Sequence, residues 1–180
     1  MIVIGDTPEF HKDMWRITKD SILPVLLLPD EYEFTKLSTI SIAIDMDRNV
    51  QKIKAVIMLA KAFNASVNIF MDRPKTANEQ LVLNNAFLFF GKRLQKAGIA
   101  FQTEMVRKQT KFITRFCKYT AKHADVAVME IPEGSIQDEV EQNIETLMSL
   151  PKSTSKNSPK RRPVLLVKTK IDASRINWRY

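Results

Sequence analysis

The stretch TISIAIDMDRNVQKIKAVIMLAKAFNASVNIFM, residues 39–71, decides the fold. It opens on TISIAIDM (39–46), β-branched and apolar almost throughout, as a strand buried on both faces of a parallel sheet must be. Beyond it, Val50, Ile53, Ile57 and Ala60 recur at spacings of three and four, which puts them on one face of a helix. The stretch closes on SVNIFM (66–71), a second short strand.

The same alternation continues toward the C-terminus. Thr76 and Glu79 have capping-box spacing at the start of a long helix, and Gly98 is suited to end it. Its stripe of Leu83, Phe87, Phe90, Leu94 and Ala97, widened by Val82, Ala86 and Phe89, reads as core rather than as a ligand cage. IAFQTEMV (99–106) alternates and reads as a third strand near an edge. FITRFCKYTAKHA (112–124) is helical, and DVAVMEI (125–131) is a fourth strand. Ser135 can cap a helix carrying Ile136, Val140, Ile144 and Leu147. KSTSKNSPKRR (152–162) is a polar loop, and PVLLVK (163–168) is a fifth strand. Strands alternating with helices predict an α/β fold: a mainly parallel five-stranded sheet with helices on both faces, flavodoxin-like or of a related nucleotide-binding type.

Residues 1–35 do not begin such a unit; they look like the end of one. IVIGDTPE (2–9) resembles AVMEIPE (127–133), and PVLLLP (24–29) resembles PVLLVK (163–168). Between the two N-terminal matches lies a short helix candidate, FHKDMWRITK (10–19). Self-similarity of this kind divides the chain into the strand–helix–strand tail of a preceding repeat (1–35), a complete module (36–168) and a C-terminal tail (169–180).

Composition narrows the function classes. A chain of 180 residues, 44% of them hydrophobic, suffices for one self-sufficient core. A single cysteine, Cys117, builds neither a disulfide framework nor a metal site, which favours a reducing compartment. No apolar run reaches the ~18 residues a membrane crossing needs, and MIVIGDTPEF has no signal-peptide pattern. The expected place is the cytoplasm. Much of the net charge of +8 comes from Lys152, Lys156, Lys160, Arg161 and Arg162. No aromatics interleave with them, so the plain reading is a solvated loop and nucleic acid is an unlikely partner. His11 and His123 are too few for a histidine-based metal site. Cys117 and His123, six positions apart on one helix, share no face and make no nucleophile–base pair. Trp178 lies in the tail, as a packing residue or a partner contact.

Taken in order, ISIAIDMD (40–47), KAGIAFQTEMV (96–106), AKHADVAVM (121–129) and the closing PVLLVK resemble the universal stress protein family across residues 36–168. The resemblance implies an adenine nucleotide alpha hydrolase-like three-layer sandwich. Asp45 matches the aspartate that, in ATP-binding members, helps hold adenine or ribose; its alternative role is a turn or helix cap. Those members also carry a glycine-rich stretch after the fourth strand, where glycines admit phosphate to the backbone amides. Here that stretch, MEIPEGSIQDEVEQNIETLMSLPKST (129–154), holds one glycine, Gly134, beside Ser135. It also carries Glu130, Glu133, Asp138, Glu139 and Glu141, which oppose a triphosphate. The expectation is a non-catalytic stress-response or regulatory module with no cofactor and no metal, acting by self-association or partner binding. An adenine-nucleotide binder using Asp45, Gly134 and Ser135 is the alternative, and nucleic-acid binding through 152–162 is the second. The family's closing strand pairs across an edge. Val25, Leu26 and Leu27 with Val164, Leu165 and Leu166 are therefore expected to pair with each other or across a homodimer.

Overall fold

The computed structural model describes residues 1–6, 17–18, 21, 23–29, 37–44, 49–106, 112–132, 142, 144, 148 and 163–169. They form strands β1 (Ile2–Asp6), β2 (Val25–Pro29), β3 (Thr39–Ile44), β4 (Ser66–Asp72), β5 (Phe101–Val106), β6 (Val126–Pro132) and β7 (Val164–Thr169). Among the described residues, three helices are defined from end to end: α1 (Val50–Phe63), α2 (Ala77–Lys96) and α3 (Phe112–His123). The strands make one sheet in the order β1-β2-β7-β6-β3-β4-β5, parallel except between β2 and β7. The α/β architecture is the expected one, but the sheet has seven strands rather than five. A Val/Leu-rich closing strand with an open edge exposes unpaired backbone groups beside apolar side chains. Here β2 covers that edge of β7 and brings β1 with it.

Alternate residues of the strands feed two cores. Ile40, Ile42, Val67, Val128 and Leu165 face α1 and α2. Phe70, Ala127, Met129, Val164 and Leu166 face the other side, where Phe116 and Cys117 of α3 pack beside Ile144 and Met148. No described helix is long and apolar enough to cross a membrane.

Local sequence explains the helix ends. The Asn49 side chain accepts from the Lys52 N–H at the start of α1, and Asn64 ends it with φ of 51°. Thr76 Oγ1 accepts from the Glu79 N–H at 3.1 Å. The Glu79 carboxylate accepts from the Lys75 N–H at 2.7 Å, one residue further back than a capping box reaches. Gly98, at φ of 72°, closes α2: its N–H donates to the Gln95 carbonyl and that of Ile99 to the Leu94 carbonyl, both at 3.0 Å. The alanine–aspartate step before β6 also has a structural role. Asp125 Oδ2 accepts from the N–H and hydroxyl of Ser38 and from the Thr39 N–H, and so pins the start of β3 to that of β6.

The two strand pairs at the β2–β7 seam repeat each other. Ile2, Val3 and Ile4 stand opposite Val25, Leu26 and Leu27; Ala127, Val128 and Met129 stand opposite Val164, Leu165 and Leu166. The entering bonds correspond as well: Ile2 N–H donates to the Pro24 carbonyl at 2.9 Å and Ala127 N–H to the Pro163 carbonyl at 3.2 Å. Across the seam, Val25 pairs with Leu166, Leu26 with Leu165 and Leu27 with Val164. The pairing is therefore locally two-fold about Leu26 and Leu165. Leu26 is fully buried in the same core as β3 and β6. Leu26→Ala is expected to cost about 3 kcal/mol, within the usual range for a truncated core leucine, in a single cooperative urea transition. Two separated transitions would show that the N-terminal strands are not part of the core.

Candidate functional site

In an open α/β sheet, ligands bind beyond the carboxyl ends of the strands, where successive connections leave in opposite directions. Here β3 has β4 on one side and β6 on the other, so that crevice lies between the ends of β3 and β6. Asp45 follows β3 directly, and Gly134 and Ser135 follow β6; all three lie outside the described residues. The same holds for the 152–162 loop and for Trp178. The described strands bring the approaches to Asp45 and Gly134 side by side, with Ile42 opposite Val128.

What the structure does describe at this crevice is a buried ion pair. Lys52, in the first turn of α1, has a side chain only 3% exposed. Its ammonium donates to the Ala43 carbonyl of β3 and lies 2.5 Å from Glu130 Oε1 of β6. The Phe90 ring of α2 stands 5.8 Å from the same nitrogen. Glu130 keeps 23% of its side chain exposed, so solvent reaches the pair from the carboxylate rather than from Lys52. Desolvating an ammonium is costly unless it is paired and hydrogen-bonded; a carboxylate, a carbonyl and an aromatic face together meet that need. Glu130, expected from sequence to repel phosphate, is thus matched by a charge already in place.

A second pair closes the edge on the opposite face. Arg115 of α3 donates to Asp72 at the end of β4. Nearby, Cys117 is buried, and burial pushes its thiol up to about 11, which leaves it protonated and inert at neutral pH. The His123 ring lies 4.7 Å from that of Tyr119, and its carbonyl, at the end of α3, accepts from the Asn68 side chain. Among the described residues no cluster of His, Cys, Asp or Glu could hold a metal ion.

Sequence reasoning missed Lys52 and Arg115, since charged residues are normally placed in solvent. For Lys52 one signal was present: it shares a helical face with Val56 and Leu59, three and four residues apart.

The sequence matches no protein-family model and no curated protein significantly. Solved structures do match. A universal stress protein from Archaeoglobus fulgidus DSM 4304 aligns with 95% of this chain at 13% identity and a TM-score of 0.60. This chain spans 61% of that structure's length. A functionally unknown protein from Pseudomonas aeruginosa PAO1 aligns with 93% of this chain and 62% of its own, at 14% identity and a TM-score of 0.54. A universal stress protein structure from Archaeoglobus fulgidus aligns with 74% of this chain and 93% of its own, at 10% identity and a TM-score of 0.52. At these identities the likeness establishes the fold.

The ion pair makes a double-mutant prediction. Lys52→Met leaves a carboxylate without its partner and is expected to cost about 3 kcal/mol, the low end for a broken buried pair because Glu130 is partly exposed. Lys52→Met combined with Glu130→Leu should recover more than half of that loss in urea denaturation. Additive losses would show that the two side chains do not act as a pair.

Proposed function

We propose that this chain, which has the fold of the universal stress proteins, is a non-catalytic member of that family. Its work is a stress-response or regulatory one, done by association through its sheet with a copy of itself or with a partner protein, in the cytoplasm. The observation that carries this reading is the Lys52–Glu130 pair. It lies at the crevice where a nucleotide's phosphates would approach, and its Lys52 ammonium is already committed to a carboxylate. The glycine-poor sequence after β6 adds to it, since one glycine, Gly134, offers a single position of free close approach. The strand–helix–strand sequence at the N-terminus, repeated in register at β6 and β7, supports the view that the chain is built from pieces of two modules.

A second reading, an adenine-nucleotide binder with Asp45 on the adenine side and Gly134 and Ser135 near a phosphate, has one feature in its favour. The first turn of α1 carries an ammonium at the crevice, and a phosphate could compete for it if Glu130 let go. Isothermal calorimetry with Mg-ATP separates the two. No heat of binding is expected at micromolar concentrations, since the phosphates would forgo several charge-assisted hydrogen bonds of about 1.5–3 kcal/mol each. Micromolar binding that disappears in Asp45→Ala would overturn the non-catalytic reading in favour of the nucleotide one.

A further inference from the structure

The sequence puts much of its positive charge in the 152–162 loop, but the structure places a second group of cations on two well-defined helices. Helices α1 and α2 cover the same face of the sheet and lie side by side. They run in one direction, because each joins a pair of parallel strands. Lys54 and Lys61 of α1 and Lys92, Arg93 and Lys96 of α2 are exposed. Against them α1 has no acidic residue, and α2 has only Glu79, whose carboxylate accepts from the Lys75 N–H. The ion pairs described above, Lys52 with Glu130 and Arg115 with Asp72, leave these cations out. Lys61, Arg93 and Lys96 stand in last turns, where the helix dipole favours a cation. Lys54 and Lys92 have no such role.

The outward stripes of the two helices also carry apolar side chains. Lys54, Met58 and Lys61 follow at spacings of four and three, and Leu81, Leu88 and Lys92 at seven and four, so each set lies along one side of its helix. Those sides are opposite the buried ones, marked by Val56 and Leu59 in α1 and by Leu83, Phe90 and Leu94 in α2. Met58 is 43% exposed, Leu81 61% and Leu88 50%. A face of leucine, methionine and lysine without carboxylates matches a boundary where anionic groups overlie an apolar layer. Lysine stems span the two levels, apolar along the chain and charged at the tip. Nucleic acid fits less well, since it needs open aromatic faces, and Arg93 already lies over the Phe89 ring at 3.7 Å. A second copy would bring the same cations and no carboxylate to meet them.

We propose that the outer face of α1 and α2 is a docking surface for an anionic membrane. Met58, Leu81 and Leu88 enter the boundary between headgroups and acyl chains, while Lys54, Lys61 and Lys92 meet the anionic headgroups. The contact is peripheral: side chains enter the lipid, not a whole helix.

The test is sedimentation of the full chain with sucrose-loaded vesicles of phosphatidylcholine, with or without one third phosphatidylserine. Binding is expected to the mixed vesicles only, and to fall as salt is raised. Lys61→Gln with Lys92→Gln should weaken it about 25-fold, at about fivefold for each lysine near an anionic surface. Lys118→Gln with Lys122→Gln removes the same charge from α3, on the other face of the sheet. With a screening length of about 8 Å, that pair should weaken binding by no more than about twofold. Leu81→Ser with Leu88→Ser should weaken it about tenfold, the worth of about two buried methylene groups. All these side chains are exposed or half-buried, and an unchanged melting temperature checks that each variant folds. Absence of binding to the mixed vesicles overturns the proposal. So does equal weakening by the α3 pair, which would make net charge the cause, or binding that the leucine variant leaves unchanged. Binding of a single-stranded oligonucleotide in place of vesicles also overturns it and assigns the face to nucleic acid. None of these results touches the association reading, which falls instead if Mg-ATP binds at micromolar concentration.

Discussion

Val25 with Leu166, Leu26 with Leu165 and Leu27 with Val164 are the pairs across which the two parts of the sheet meet. They are the sole antiparallel contact in an otherwise parallel sheet of described strands. Without them β7 would end the sheet with an apolar edge open to water, and β1 with β2 would be an isolated two-stranded ribbon too small to stand alone. With them, both cores run through the seam: Leu26 and Leu165 on the side of α1 and α2, Val25, Leu27, Val164 and Leu166 on the side of α3. The seam also places β1 and β5 at the two ends of the sheet of described strands.

The carboxyl edge of the sheet follows a different constraint. Parallel strands end together and point their last carbonyls and side chains into one crevice, which in this fold is the natural ligand site. This chain has placed charges there and paired them internally, Lys52 with Glu130 on one face and Arg115 with Asp72 on the other. An internal pair at such a position serves the fold, because breaking it strands a charge. A ligand would have to offer more than the partner it displaced.

Much of the architecture was legible in the sequence because its signals were local. Thr76, Gly98 and the stripe of Leu83, Phe90 and Leu94 define α2 from both ends and along one face. The β-branched run from Thr39 to Ile44 could only be an interior strand. Less was legible where burial depends on partners far along the chain. Of the α1 stripe read as Val50, Ile53, Ile57 and Ala60, Ile53 and Ala60 are buried, but the buried face is turned from the expected one: Val50 is exposed, while Lys52, Val56 and Leu59 are buried. A lysine on that face makes sense only once Glu130, seventy-eight residues away, is brought beside it. The strand count differed for the same reason. The likeness of PVLLLP to PVLLVK led to the expectation that the two segments pair, with each other or across a homodimer; the structure pairs them with each other, and the sheet they join has seven strands among the described residues. The residues read as a ligand site, Asp45, Gly134 and Ser135, lie beyond the described residues.

Native-state hydrogen exchange tests the seam most directly, because it reads the opening free energy of each strand separately. If β2 and β7 are the joint of a single cooperative sheet, the amides of Val25–Leu27 and Val164–Leu166 exchange only by global unfolding, with the same free energy as those of Ile42 and Val128. If Val25–Leu27 exchange at a free energy several kcal/mol lower while β3 and β6 stay protected, the N-terminal strands are a loosely attached ribbon and the account of the fold as one sheet is wrong.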